Sequence, residues 1–368
     1  MDFSKFFDET GKKWRYWQPA WIPSQESKEF AQYSKKEYSG QTKFVKGIAW
    51  SVDGEKLAAA SDCSVHLYRP KSSKHVRELK GHKDTVAQIV WDPTNPHSLA
   101  SAGKDSSVKI WDSRQSGCVR NIEAKGKNLN ITWSPLGNYI AVSKQVSTVK
   151  DVVSVIDVRK GGKIIQRKEF PFMVHGMCWD RTEKYFLITT GNGTIDIMEF
   201  PKIAPALTIE AHTGHCHCLE ISQDGTLLAT GGVDTVVQVW DTRDMCCVRT
   251  FSRMDDPIRS ISISHDKKYV ASVCYIDRLN DDWNESKDAH ERDKHDRDFR
   301  DFVPTKSRID ISEIESGNHV HSFVMSSFEA QAIAFNPVRR LLAVAGKAAG
   351  YDNKKGVVAV YSPRSFTG

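Results

Sequence analysis

The chain has 368 residues, 39% of them hydrophobic, with a mean hydropathy of −0.47. No apolar run approaches the ~20 residues needed to cross a bilayer, and the opening MDFSKFFDETGKKWRYW has no apolar core for a secretory leader, so neither a membrane-spanning nor a secreted protein is expected. The net charge is +6, but residues 277–301 hold ten acidic and six basic side chains, a local −4 that leaves +10 on the rest; a basic excess of that size tolerates polyanion contact without requiring it.

In chain order, residues 1–30 read as an arm outside any repeat. Residues 1–38 hold ten aromatic side chains, and Trp14, Tyr16, Trp17 and Trp21 stand beside Lys12, Lys13 and Arg15. That much apolar surface must be covered, and aromatic and arginine side chains are the usual anchors of interfaces. Docking on the protein's own ring and docking on a partner both satisfy the requirement. From residue 31 to 364 one pattern recurs: a strand ending in a large apolar residue, a polar turn, a strand of small and aliphatic residues, a second turn and an alternating strand. The first strands end at Trp50, Trp91, Trp133, Trp179, Ile221, Ile263 and Phe335, spaced by 41, 42, 46, 42, 42 and 72 residues. The last spacing becomes 42 once 30 extra residues are removed, and the charged stretch at 275–306 in the sixth unit is the candidate for them. Seven such units match the about 40–45-residue period of propeller blades. The expected fold is therefore all-β, a seven-bladed propeller. Its last unit, ending in Gly356–Tyr361, lacks a fourth strand; Tyr33–Ser39 is expected to supply it and close the ring, removing open edges. Residues 365–368 are a tail.

Two units carry more. The second reads Gly81–His82, then LASAGKD, then Val108–Asp112; the fifth reads Ala211–His212, then LLATGGVD, then Val236–Asp241. These resemble WD40 repeats. A His in the incoming loop, a hydroxyl on the second strand, an Asp in the next turn and a Trp on the third strand can form one hydrogen-bonded chain. The sets are His82, Ser101, Asp105, Trp111 and His212, Thr230, Asp234, Trp240. Such a chain satisfies buried polar groups and locks the register of a blade. The W-D-x-R runs ending at Arg114 and Arg243 have two readings. In some propellers such arginines contact the adaptor of cullin-type ubiquitin ligases; otherwise the Asp organises the turn and the Arg is solvated. Three connections between second and third strands look long, Lys144–Asp151, Tyr275–Lys306 and Gly346–Gly356, and would build up one rim. The charged 277–301 stretch is too poor in aliphatics to join a core.

No nucleophile, phosphate-loop or zinc-helix motif is present, so no catalytic residue, metal or cofactor is expected. The His215–Cys218 run, His-Cys-His-Cys, would on a regular strand send its two His to one face and its two Cys to the other, which cannot surround one ion. The eight cysteines have no framework spacing and read as reduced, mostly buried thiols, Cys246 and Cys247 included.

A longer resemblance covers roughly residues 36–362. The phrase KGKNLNITWSP (Lys125–Pro135), CVRTFSR (Cys247–Arg253), IDISEIESG (Ile309–Gly317) and YDNKKGVVAVY near the end are similar to the family of THO complex subunit 3, part of the transcription–export machinery. The resemblance implies a nuclear, non-enzymatic scaffold subunit that contacts other THO subunits, a large helical one among them, and serves messenger RNA export with a DEAD-box RNA helicase, directly or indirectly. It implies no membrane and no small-molecule substrate. Two other functions stay open: direct RNA binding through basic loops, and a ubiquitin-ligase substrate receptor acting through Arg114 and Arg243.

Overall fold

Short polar turns punctuate runs of Val, Ile, Ala and Thr along the chain, and these runs pair as antiparallel strands. The computed structural model describes residues 30–38, 43–70, 75–124, 126–147, 150–274, 307–325, 327–348 and 355–363. Among them, 28 strands form seven four-stranded sheets. The innermost strands of the seven blades are Val45–Trp50, Val86–Trp91, Lys127–Trp133, Val174–Trp179, Cys216–Ile221, Ile258–Ile263 and Phe328–Phe335, and together they line a central channel. The first six blades are simple meanders. The seventh takes its outermost strand, Tyr33–Tyr38, from the other end of the chain. That strand pairs antiparallel with Gly356–Pro363, Tyr33 opposite Pro363 and Tyr38 opposite Val358.

The core is divided among the seams. Seven apolar clusters each draw on two neighbouring blades, so every blade is held by the one before and the one after. Small side chains on the second strands, as in Leu57–Ser61 with its run of three alanines, let adjacent sheets approach closely. The outermost strands have nothing beyond them to pack on, and strands such as Cys118–Glu123 and Lys163–Phe170 carry charges that discourage edge pairing. No helix among the described residues is long and apolar enough to cross a membrane.

Three details differ from the expectations drawn from sequence. Phe30, placed in the arm, is buried in the seam between the sixth and seventh blades, 5.0 Å edge-on from Tyr269 and 4.9 Å from Tyr33. The connection Lys144–Asp151 is mostly strand, because its β-branched residues extend the hairpin: Tyr139–Ser147 pairs with Lys150–Asp157 out to Ser147 opposite Lys150. Cys118, Cys246 and Cys247 are exposed, since they start outermost strands; Cys178, Cys216 and Cys274 are buried as free thiols. The arm residues Trp14, Tyr16, Trp17 and Trp21, the charged stretch 275–306 and the tail 365–368 lie outside the described residues.

Candidate functional site

In the second blade the four residues of the first set meet. Trp111 Nε1–H donates to Ser101 Oγ at 2.8 Å, Ser101 in turn bonds His82 Nε2 at 2.7 Å, and His82 Nδ1 lies 3.0 Å from both Asp105 oxygens. The order of donors assigns the imidazole its Nδ1–H tautomer. Burial pushes the His82 pKa down against the pull of Asp105, which keeps the ring neutral near pH 7. Burial alone would raise Asp105, but the Lys83 N–H, the Ser107 hydroxyl and His82 hold it below its usual value. In the fifth blade Trp240 donates to Thr230 at 3.1 Å, Thr230 bonds His212 at 3.0 Å, and His212 bonds Asp234 at 2.9 Å. Two members escaped the sequence reading. A Cβ at Gly103 or Gly232 would collide with the neighbouring His–Asp pair, so each chain closes only over a glycine. The signal was the Gly two residues before each Asp. These networks sit inside blades, and their role is to hold the ring.

Arg114 and Arg243 lie on the lower face, the one carrying the turns between first and second strands. Both are exposed, yet each folds back on its own turn: Arg114 reaches Asp112 and Arg243 reaches Asp241, both at 2.7 Å. The guanidinium bonds hold each aspartate down at about 2, and the backbone N–H of each Arg donates to the same carboxylate at 2.9 and 3.0 Å. Arg114 and Arg243 thus stand in separate blades, the second and the fifth, each three residues past the Trp of its blade's tetrad.

The channel has two unlike mouths. At the lower mouth a cavity of about 800 Å³ is lined by Trp50, Trp91, Trp133, Trp179 and Phe335. Trp50 and Trp91 each donate to the carbonyl of the adjoining innermost strand, at Ala334 and Ala49, both at 2.9 Å. At the upper mouth every innermost strand carries a one-residue bulge near its start. The bulged residues are Lys46, Ala87, Leu129, His175, His217, Arg259 and Gln331, and all seven line a second cavity of about 540 Å³. The His215 and His217 rings lie parallel, 6.2 Å apart, on one face as alternation expects, and the bulged His217 lines this cavity while Cys218 packs into the seam between the fifth and sixth blades. His175 Nε2 lies 3.3 Å from His215 Nδ1, and the His175 and His217 rings are 5.1 Å apart. Burial lowers His175 to about 4, helped by the charge of His215, and lowers His217 to about 3, helped by those of His175, Arg259 and His215. Among the described residues no three His, Cys, Asp or Glu stand where they could hold a metal ion.

Comparison with known proteins agrees with this architecture. The WD domain, G-beta repeat (WD40) matches residues 32–69, 73–112 and 204–241, the last two holding the two tetrads. The β-propeller domain of Cps50 (Swd1) from Myceliophteria thermophila superposes with a TM-score of 0.70 at 14% identity, covering 89% of this chain and 99% of that one. WD repeat-containing protein AAC3 of Dictyostelium discoideum is 30% identical over 65% of this chain and 55% of its own length. THO complex subunit 3 of Arabidopsis thaliana is 32% identical over 90% of this chain and 96% of its own length. With the repeats, the closed seven-bladed ring and a similarity that runs nearly end to end in hand, the chain belongs to the THO complex subunit 3 family of WD40-repeat propellers, a family of scaffolds rather than enzymes.

Proposed function

We propose that this protein is the propeller subunit of a nuclear THO assembly, where it supports messenger ribonucleoprotein formation and mRNA export through protein–protein contacts. The supporting observation is the extent of the similarity: 32% identity through 90% of the chain reaches well beyond the three segments that match the generic repeat. A scaffold acts through its surfaces, and residues 1–29 are a stretch outside the blades rich in aromatic residues. Its Trp14, Tyr16, Trp17 and Trp21 beside Lys12, Lys13 and Arg15 suit a groove with acidic rims on another THO subunit. Contact with a DEAD-box helicase or with RNA would then pass through the assembly.

Native co-purification with mass spectrometry tests the reading. Recovery of large THO subunits supports it; recovery of cullin adaptors without them would overturn it in favour of the Arg114 and Arg243 reading. Removing residues 1–29 should weaken that recovery while leaving the melting curve in place. Phe30 must stay, because it is part of the seam between the sixth and seventh blades.

A further inference from the structure

The seven bulges put side chains at the upper mouth that an ordinary strand would have directed elsewhere. Five of them can donate hydrogen bonds: Lys46, His175, His217, Arg259 and Gln331, from the first, fourth, fifth, sixth and seventh blades. The charge there is one-sided. Lys46 is crowded by the like charge of Lys104, with Asp84 as the opposing carboxylate. The one carboxylate lining the cavity among the described residues is Glu220, which also lines the lower cavity. Glu220 is already engaged, accepting from Ser262 Oγ at 3.1 Å and the Ile263 N–H at 3.2 Å, and burial raises it to about 7. Like charges gathered in a partly desolvated mouth are stabilised when an anion enters.

Shape and composition narrow the anion. Donors converge from five directions, which suits tetrahedral groups with several acceptor oxygens more than one planar carboxylate. The volume of about 540 Å³ falls in the range of small-molecule sites. Among the described residues no Phe, Tyr or Trp lines this mouth; those that line the channel are at the other end. Proteins that hold single-stranded nucleic acid stack its bases on aromatic rings, and the described lining offers none, which favours a compact anion over a strand of RNA. We propose that the upper mouth of the channel binds a compact polyphosphate, with Lys46 and Arg259 as fixed cations and His175, His217 and Gln331 as further donors. The ligand is a bound effector, not a substrate, and the site does not depend on membership of a THO assembly.

Protonation follows. Both histidines are neutral near pH 7. His175 faces His215 and His217, and its strand neighbour Val174 donates to the buried Asp151; His217 faces His175, His215 and Arg259. A bound polyanion offsets the repulsion within this group, raises both imidazoles and makes binding take up protons as the pH falls.

Titration calorimetry of the full chain with inorganic tripolyphosphate tests the site. One equivalent should bind, and Arg259→Gln and Lys46→Met should each weaken binding by about ten-fold while leaving the melting curve of the unliganded protein unchanged. Affinity should rise as the pH falls below 7 toward the unliganded histidine values, with a shallower slope in the His175→Gln/His217→Gln double variant below pH 6, where Glu220 is already protonated; that comparison cancels titration of the ligand itself. A 5′-phosphorylated oligoribonucleotide distinguishes the source of phosphate: the proposal expects it to bind no better than its length-matched 5′-hydroxyl form. Absence of tripolyphosphate binding, binding unaffected by both single substitutions, or RNA binding that both substitutions abolish and tripolyphosphate does not displace would overturn it.

Discussion

The second and fourth blades solve one packing problem in two ways. In the second, the third strand presents Trp111 opposite Leu99, and the ring ties through Ser101 and His82 to Asp105. In the fourth, the same register position holds Met198 opposite Phe186. Met198 has no donor to continue such a chain, and the blade's polar links, Thr190 to Thr194 to Asp196, lie at the turn between its second and third strands. Trp179, Phe186, Phe200 and Tyr139 instead pack ring against ring at 4.9 to 6.1 Å. Both blades close to the same four-stranded sheet. The tetrad is therefore one means of fixing a blade, and aromatic packing across the seam to the third blade is another. The polar chain is directional and fails when one member is lost; the apolar cluster is non-directional and fails in proportion to the volume removed.

Substitutions can set the two side by side. Phe186→Ala, at a fully buried ring, should have the largest effect, lowering stability by about 3–5 kcal/mol in denaturant unfolding. If the loss were under a third of that, the fourth blade would not depend on its aromatic cluster. Trp111→Phe keeps the shape but takes the donor from Ser101, and Asp105→Ala strips the partner from His82; each should cost ~1–3 kcal/mol and leave partner recruitment intact. Equal melting points for these variants and the unaltered protein would show that the tetrad does not carry the second blade. Acid should expose the same contrast. His82 and His212 have pKa values depressed below 6.5, and His175 falls to about 4. Below pH 6.5 the unfolded chain takes up protons that the folded chain refuses, so stability present above that pH is lost progressively as the pH falls toward the folded values. The melting point should drop between pH 7 and pH 4, and His82→Gln should flatten the drop even while lowering the value at pH 7. The smallest effect is expected of Trp179→Phe. Its Nε1–H is buried with no partner among the described residues, so the change orphans no acceptor and costs only the volume taken from the aromatic cluster, about 1 kcal/mol, at or below the loss for Trp111→Phe.

The tetrad residues were legible in the sequence because their spacings are set by local chain geometry, a strand, a turn and a strand, which fixed offsets can report. The bulges were not. Alternation assigns faces on the premise of a regular strand, and a single inserted residue near the start of each innermost strand redirected Lys46, His175, His217 and Arg259 toward the channel. In hindsight the trace was a polar residue after the first apolar one in VKGIAW, VHGMCW, CHCLEI and IRSISI. Phe30 was hidden for a different reason: its partner Tyr269 is far along the chain, and no periodicity links them. Cys246 and Cys247 were misjudged because residue type says little about which strand of a blade has a neighbour beyond it.

The pairing of Tyr33–Tyr38 with Gly356–Pro363 also sets a schedule for biosynthesis. The strand that finishes the seventh blade leaves the ribosome before the other strands of the ring, and its partner is made more than three hundred residues later. At about 5–20 residues per second, that leaves it waiting on the order of tens of seconds. Early blades can form as they emerge, since their own contacts are local, but the join between the two ends cannot. A chain released early would keep an unpaired edge and an uncovered Phe30 seam, features that quality-control proteases and chaperones bind. Ring closure thus doubles as a check that translation ran through the seventh blade.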